Sequence, residues 1–155
     1  KMSFHIRPYE NHDLDALMSV WEEATKVGHP FLSADFIATE RHNIPNVYLP
    51  STDTWVIEYD GAVIGFLSLL GNEVAALFVQ PAHHGKGAGR ALMDKAKSLH
   101  AELQVEVFAA NTVGRRFYAK SGFKSLHRYQ HEETGLMMLR LRFYPMVDSL
   151  MEKTQ

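Results

Sequence analysis

The hydrophobic pattern alternates between helical spacing and strand spacing along the chain. Helical spacing is clearest in residues 11–27, whose apolar face carries Leu14, Leu17, Met18, Trp21 and Ala24. Asn11 is the predicted N-cap of this helix, and Gly28 ends it. A second helix is predicted from the capping Ser33 to about residue 42, and residues 43–53, with two prolines, are predicted to form a loop.

Strand spacing predicts seven strands, at residues 3–9, 55–59, 63–69, 73–79, 103–109, 123–130 and 136–144. Asp60-Gly61 and Gly71-Asn72 are the predicted turns of two hairpins. Two more helices follow, one beginning near Gly89 and one over residues 111–122.

The predicted element order is therefore β-α-α-β-β-β-α-β-α-β-β. A helix joins the strands at residues 73–79 and 103–109, so these two strands are predicted to be parallel in an otherwise antiparallel sheet. The fold class is α+β, or mixed α/β, with a single domain over residues 2–144 and a C-terminal tail over residues 145–155.

Composition narrows the function classes. The 155 residues carry a net charge of -2, which argues against a nucleic-acid-binding role. The chain has no cysteine, which excludes disulfides and thiolate metal sites, and it has no apolar run of membrane-spanning length. No apolar signal segment opens the sequence, so a cytoplasmic protein with no membrane association is expected.

The stretch LFVQPAHHGKGAGRAL, residues 77–92, places three alternating glycines between a strand and a helix. A plain turn would explain the glycines alone, and neither the Walker nor the Rossmann spacing fits them. The remaining interpretation is a different diphosphate cradle, in which backbone N–H groups at a helix start meet an anion. Lys86, Arg90 and His84 supply the neighbouring positive charge.

Two motifs together resemble the GCN5-related N-acetyltransferases. The segment His84-Gly85-Lys86-Gly87-Ala88-Gly89 is similar to the family's acetyl-CoA loop, Arg/Gln-x-x-Gly-x-Gly/Ala, which follows a strand ending in Val-x-Pro. NTVGRRFYAKSGF, residues 111–123, resembles the family's Asn-x-x-Ala-x-x-Phe-Tyr-x-x-x-Gly-Phe. His84 and Gly114 depart from the usual residues of these motifs.

The resemblance implies a fold with about seven strands and about four helices, and acetyl-CoA as cosubstrate. No metal is expected, because the sequence has no His-Glu-x-x-His motif and the adjacent His83 and His84 cannot easily both face one ion. It implies backbone contacts to the pantetheine arm from Leu77 and Val79, with Phe78 between them. The other cofactor-binding residues that it implies are His84, Gly85, Lys86, Gly87, Ala88, Gly89, Arg90, Asn111, Phe117 and Tyr118.

Acetyl transfer to an amine needs a base for the amine and a proton donor for the departing thiolate. By resemblance Tyr118 is the general acid, although a helix tyrosine can also simply pack in a core. Glu73 and Glu106 are the predicted bases, each of which could instead be a solvated strand residue. His29 is a third candidate base, and His29 and Phe31 are predicted to line the acceptor site.

The sequence thus predicts an N-acetyltransferase that acts by direct attack in a ternary complex, as a monomer or homodimer. Its acceptor is a primary amine, on a small molecule or a protein lysine. Two alternatives remain open at this point: a non-catalytic acyl-CoA sensor, and a transferase for another acyl group or acceptor.

Overall fold

The computed structural model describes residues 3–145. The strands are β1 (Phe4–Pro8), β2 (Asp53–Tyr59), β3 (Ala62–Leu70), β4 (Glu73–Val79), β5 (Leu103–Phe108), β6 (Lys124–Gln130) and β7 (Met137–Phe143). The helices are α1 (Leu14–Gly28), α2 (Ala34–Asn43), the single turn α3 (Leu49–Ser51), α4 (Ala88–Leu99) and α5 (Thr112–Lys120). The predicted C-terminal tail lies outside the described residues except for Pro145.

All seven strands join one sheet in the order β1-β2-β3-β4-β5-β7-β6. Neighbouring strands are antiparallel except β4 and β5, which are parallel and are connected through α4. This confirms the predicted mixed, mostly antiparallel sheet.

Helices cover the two faces of the sheet and form two cores. Ile57 and Leu67 face α4 and α5, whereas their strand neighbours Val56 and Phe66 face α1. On the α1 side, Leu17 is fully buried against this face. Each such side chain stabilises the fold by about 1.5–3 kcal/mol through the removal of apolar surface from water.

The predicted N-cap Asn11 is wrong. A 3-10 turn over Asn11–Asp13 precedes α1, and Glu10 takes the cap position of that turn. The Glu10 backbone N–H donates to Asp13 Oδ2 at 2.8 Å, and both Asp13 oxygens accept hydrogen bonds from Arg7 at 2.8 Å. The ion pair with Arg7 in β1 fixes the entry to the helix, and local cap preference cannot predict such a tertiary contact.

The predicted loop at residues 43–53 is also largely helical. Ile44–Tyr48 continues α2 as a π-helix, and α3 follows it. Pro45 and Pro50 are each the second residue of their segment. Pro45 has no N–H to continue the hydrogen-bond pattern of α2, and the chain changes to π-helical pairing at this point. Ile44 is buried in the α1 core, which holds the segment on the domain.

Candidate active site

The parallel strands β4 and β5 diverge after a short contact. Only Glu73 with Gln104 and Val74 with Val105 are paired between them. On its other side β4 stays paired with β3 as far as Val79. The edge of β4 that faces β5 is therefore open from Ala75 onward, as a wedge between the two strands.

A β-bulge sets the direction of the backbone groups along this open edge. The pairing of β3 with β4 shifts between Ser68 and Leu69 and skips Ala75. Beyond the bulge the Gln80 N–H donates to the Ile64 carbonyl of β3 at 2.7 Å. Because N–H groups alternate between the two edges of a strand, those of Val79 and Leu77 point away from β3 and into the wedge.

The glycine loop lies at the wide end of the wedge and leads into α4. Gly85 has φ 76° and Gly87 has φ 94°, the left-handed region that favours glycine. Gly87 is the N-cap of α4 and offers no side chain, so the first-turn N–H groups of this helix stay uncovered by a cap. Lys86 and Arg90 are exposed beside them. This arrangement fits a diphosphate, which needs close backbone approach and positive potential.

Gly89 allows α4 to pack closely on α5. A β-carbon at Gly89 would lie 3.2 Å from the Phe117 ring, closer than ordinary van der Waals contact. Ala88 beside it is buried. The third glycine thus fixes the start of α4 against the helix that carries Tyr118.

His84 is directed at the protein backbone. Its Nε2 lies 2.8 Å from the carbonyl oxygen of Val79, so Nε2 carries the proton and donates. In place of the Arg or Gln of the motif that this loop resembles, the chain has an imidazole ring that links the loop to the end of β4.

Tyr118 is buried on α5, with 8% of the residue exposed. Its ring lies edge-on to Phe117 and Phe123, at centroid distances of 5.3 and 5.5 Å. Burial raises the pKa of the phenol, which therefore stays protonated at neutral pH. Tyr118 belongs to the same core cluster as Val79 of the open edge.

Asn111 caps α5 and joins it to the end of α1. Its Oδ1 accepts the Gly114 N–H at 2.9 Å, which confirms the predicted N-cap. Its Nδ2 lies 3.3 Å from Nε2 of His29. Burial lowers the pKa of His29 to about 4, so this ring is neutral at pH 7.

Aromatic side chains surround His29 at the mouth of the wedge. The His29 centroid lies 5.7 Å from Phe31, 6.1 Å from Phe78 of β4 and 5.6 Å from Phe108 of β5. Phe108 also contacts His131, which follows β6, at 5.7 Å. These five residues, here called the aromatic wall, come from both sides of the opening.

Both predicted bases are ion-paired to one arginine. Arg140 of β7 lies 3.0 Å from Glu73 and 3.2 Å from Glu106, and these groups raise the pKa of the guanidinium. Tyr129 of β6 donates a hydrogen bond to Glu106 at 2.6 Å, which raises the pKa of its phenol to about 12. Glu106 and Phe108 alternate with buried residues of β5, so both lie on the α1 face of the sheet.

The structure brings the predicted residues together in three groups around one wedge. Leu77 and Val79 with the loop of residues 84–90 form one side. Asn111, Phe117 and Tyr118 lie on α5, and His29 and Phe31 lie at the mouth.

Sequence reasoning missed Phe108, His131, Tyr129 and Arg140. The alternation of β5 places Phe108 on the same face as Glu106, so that signal was present. The other three lie on β7, on β6 or just after β6, and only tertiary pairing brings them to the site.

Comparisons with known proteins agree with this fold. The Acetyltransferase (GNAT) domain model matches residues 50–125. The peptidyl-lysine N-acetyltransferase YiaC of Escherichia coli is 34% identical over 132 residues, which cover 84% of this chain and 90% of YiaC. The peptidyl-lysine N-acetyltransferase YjaB of Escherichia coli is 32% identical over 135 residues, covering 86% of this chain and 91% of YjaB.

Solved structures share the architecture. The solution structure of apo YjaB from Escherichia coli aligns with a TM-score of 0.83 at 29% identity, over 92% of this chain and 98% of that chain. A Bacillus anthracis acetyltransferase crystallised with acetyl coenzyme A aligns with a TM-score of 0.70 at 15% identity, over 93% of this chain and 99% of that chain. The second likeness shows the fold alone.

This chain belongs to the GCN5-related N-acetyltransferase family. It is an N-acetyltransferase of a family that uses acetyl-CoA. Within residues 3–145, no helix has the length and apolar character that a membrane span requires.

Proposed function

We propose that this protein transfers the acetyl group of acetyl-CoA to the side-chain amine of a lysine in a peptide or protein, by direct attack in a ternary complex. The observation that carries the proposal is the open edge of β4, which leads into the glycine loop. Val79 at the end of this edge packs in the same core cluster as Tyr118. Two relatives named as peptidyl-lysine N-acetyltransferases support the acceptor class.

The backbone of the chain does most of the cofactor binding in this proposal. The N–H groups of Leu77 and Val79 donate to the pantetheine arm, which takes the place of a missing strand beside β4. The N–H groups of residues 85–90 bind the diphosphate, with Lys86 and Arg90 adding charge. Phe117 seats the start of α4 through its contact at Gly89.

Tyr118 supplies the proton that the departing thiolate needs. Its phenol is protonated before the reaction because burial disfavours the phenolate. Burial also raises the pKa of a thiol, which partly offsets the weaker acidity of the buried phenol in the transfer of the proton to the thiolate. A backbone N–H on the open edge polarises the thioester carbonyl.

Glu106 is the better placed of the two predicted bases. Glu73 lies at the paired end of β4, level with Gln104, whereas Glu106 lies two residues nearer the opening along β5. It also lies two residues from Phe108 of the aromatic wall, about 7 Å along the strand. A lysine amine with an ordinary pKa of ~10.4 must lose a proton to attack, and Glu106 accepts it directly or through water.

A matched pair of peptides tests the acceptor. One peptide contains a single lysine and has a blocked N-terminus, and the control has norleucine in place of the lysine. Release of free thiol and mass spectrometry should show one acetyl group on the lysine peptide and none on the control. Transfer to small amines but to no lysine peptide would contradict the proposal.

A further inference from the structure

His29 occupies the acceptor side of the wedge. It is the first residue after α1, and its N–H donates to the Thr25 carbonyl at 2.8 Å. Its ring lies edge-on to Phe78 and Phe108, which stand on the two strands that diverge. The imidazole therefore spans the mouth of the wedge on the face that α1 covers.

The orientation of the Asn111 amide assigns the tautomer of this imidazole. Because the Gly114 N–H donates to one atom of the amide, that atom is the oxygen. The other atom, which faces His29 Nε2 at 3.3 Å, is then the NH₂ group. An NH₂ group has only hydrogens to offer, so Nε2 is the acceptor and the proton of the neutral ring is on Nδ1.

This tautomer argues against His29 as the base. The lone pair of Nε2 is engaged by Asn111, and Nδ1 carries a hydrogen. With a pKa of about 4 the ring also binds a proton weakly at neutral pH. Protonation would place a second donor opposite the Asn111 NH₂ group, which would break the contact. In this tautomer His29 can donate one hydrogen bond, from Nδ1.

Within residues 3–145 no group accepts a hydrogen bond from Nδ1 of His29, and Nδ1 is not among the fully enclosed polar atoms that lack a partner. The Nδ1–H group thus keeps some exposed surface, from which it can donate to a ligand. A peptide offers carbonyl oxygens beside its lysine, and a simple alkylamine offers none.

We propose that His29 is an acceptor-binding residue, in which Asn111 fixes the Nδ1–H tautomer so that Nδ1 donates to a carbonyl oxygen of the acceptor peptide. The proposal rests on the proposed lysine-peptide function for the nature of the acceptor. The tautomer itself does not depend on any acceptor.

Nitrogen NMR of the imidazole tests the tautomer without any turnover. Spectra of ¹⁵N-labelled protein should show His29 protonated on Nδ1 at pH 7 and neutral down to about pH 5, with the His29→Asn variant used to assign the signal. Adding the acetylated lysine peptide should shift the Nδ1–H resonance. An Nε2–H tautomer would overturn the proposal whether or not lysine proves to be the substrate. Where turnover shows that the peptide is a substrate, a resonance that it leaves unmoved would also overturn the proposal.

Steady-state kinetics of two variants distinguish the roles of the two ring nitrogens of His29. The amide of His29→Asn reaches the position of Nδ1, whereas the amide of His29→Gln reaches that of Nε2. The Gln variant should raise the KM for the lysine peptide roughly three- to tenfold, and the Asn variant less than twofold. Hexylamine has no carbonyl oxygen to accept from Nδ1, so its KM should be the same in the two variants. Equal peptide KM values in the two variants would show a packing role only and overturn the proposal.

Discussion

Gly114 and Asn111 are so close that a β-carbon on Gly114 would lie 2.5 Å from the Asn111 amide nitrogen. The amide cannot turn away without loss of its hydrogen bond to the Gly114 N–H or of its contact with His29. Glycine at this position, where the family usually has alanine, therefore accommodates the particular orientation of Asn111 in this chain.

This contact predicts a non-additive effect on stability. Gly114→Ala alone should change the free energy of unfolding by less than ~1 kcal/mol, because the gain in helix propensity offsets the displaced cap. In an Asn111→Ala background the clash is absent, and the same change should stabilise the protein by about 0.5–1 kcal/mol. Urea unfolding of the four proteins measures the coupling, and strictly additive effects would contradict it.

The buried His29 makes stability depend on pH. Its pKa is about 4 in the folded protein and about 6.5 when unfolded, so the unfolded chain binds more protons between these values. Stability is fully present above pH 6.5 and falls as the pH drops toward 4. Between pH 7 and pH 4.5 His29 alone should cost about 2–3 kcal/mol.

Urea unfolding of the wild type and of His29→Asn at both pH values isolates this contribution. The variant should lose less stability on acidification than the wild type by that amount. Equal losses in the two proteins would mean that His29 is not buried as a neutral ring.

The shared ion pair with Arg140 provides a matched comparison of the two glutamates. Glu106→Gln and Glu73→Gln each remove one carboxylate from the same arginine and keep the shape of the side chain. With Glu106 as base, its variant should lose about 100-fold in kcat/KM for the lysine peptide, and the Glu73 variant less than about fivefold. Steady-state kinetics check this, and a larger loss at Glu73 would reverse the assignment.

The glycine loop predicts a selective loss of cofactor affinity. Gly87→Asp puts a carboxylate at the proposed diphosphate site. It also forces a residue with a side chain into a backbone φ of 94°, which is strained for any residue but glycine. Gly135→Asp is the control, since Gly135 has φ 73° in the turn between β6 and β7. Calorimetry on the folded variants should show that acetyl-CoA binding is abolished in the first and kept in the second. Equal affinity in both would exclude the loop as the diphosphate cradle.

Sequence motifs predicted the loop and the two helix starts at Ser33 and Asn111, because local turn and cap chemistry sets them. The strand order followed from hairpin turns and one helical crossover. Asn11 failed as a cap because Arg7 of β1 holds Asp13. Such a contact is invisible to any local pattern.

The sequence predicted the chemistry of the site less completely than it predicted the fold. The bulge at Ala75 turns the N–H groups of Leu77 and Val79 into the wedge. The apolar sequence of β4 contains no signal that predicts this bulge. The tautomer of His29 depends on an amide contact across 82 positions of the chain. Arg140 and Tyr129 reach Glu106 only through the pairing of β5, β7 and β6.

The most direct test of the central claim is acetyl-CoA binding and turnover in Tyr118→Phe, compared with the wild type. The ring packing stays, so the Kd for acetyl-CoA should remain within about twofold, while kcat for the lysine peptide should fall about tenfold to a thousandfold. An unchanged kcat, or a Kd that weakens in proportion to the lost turnover, would contradict Tyr118 as the proton donor.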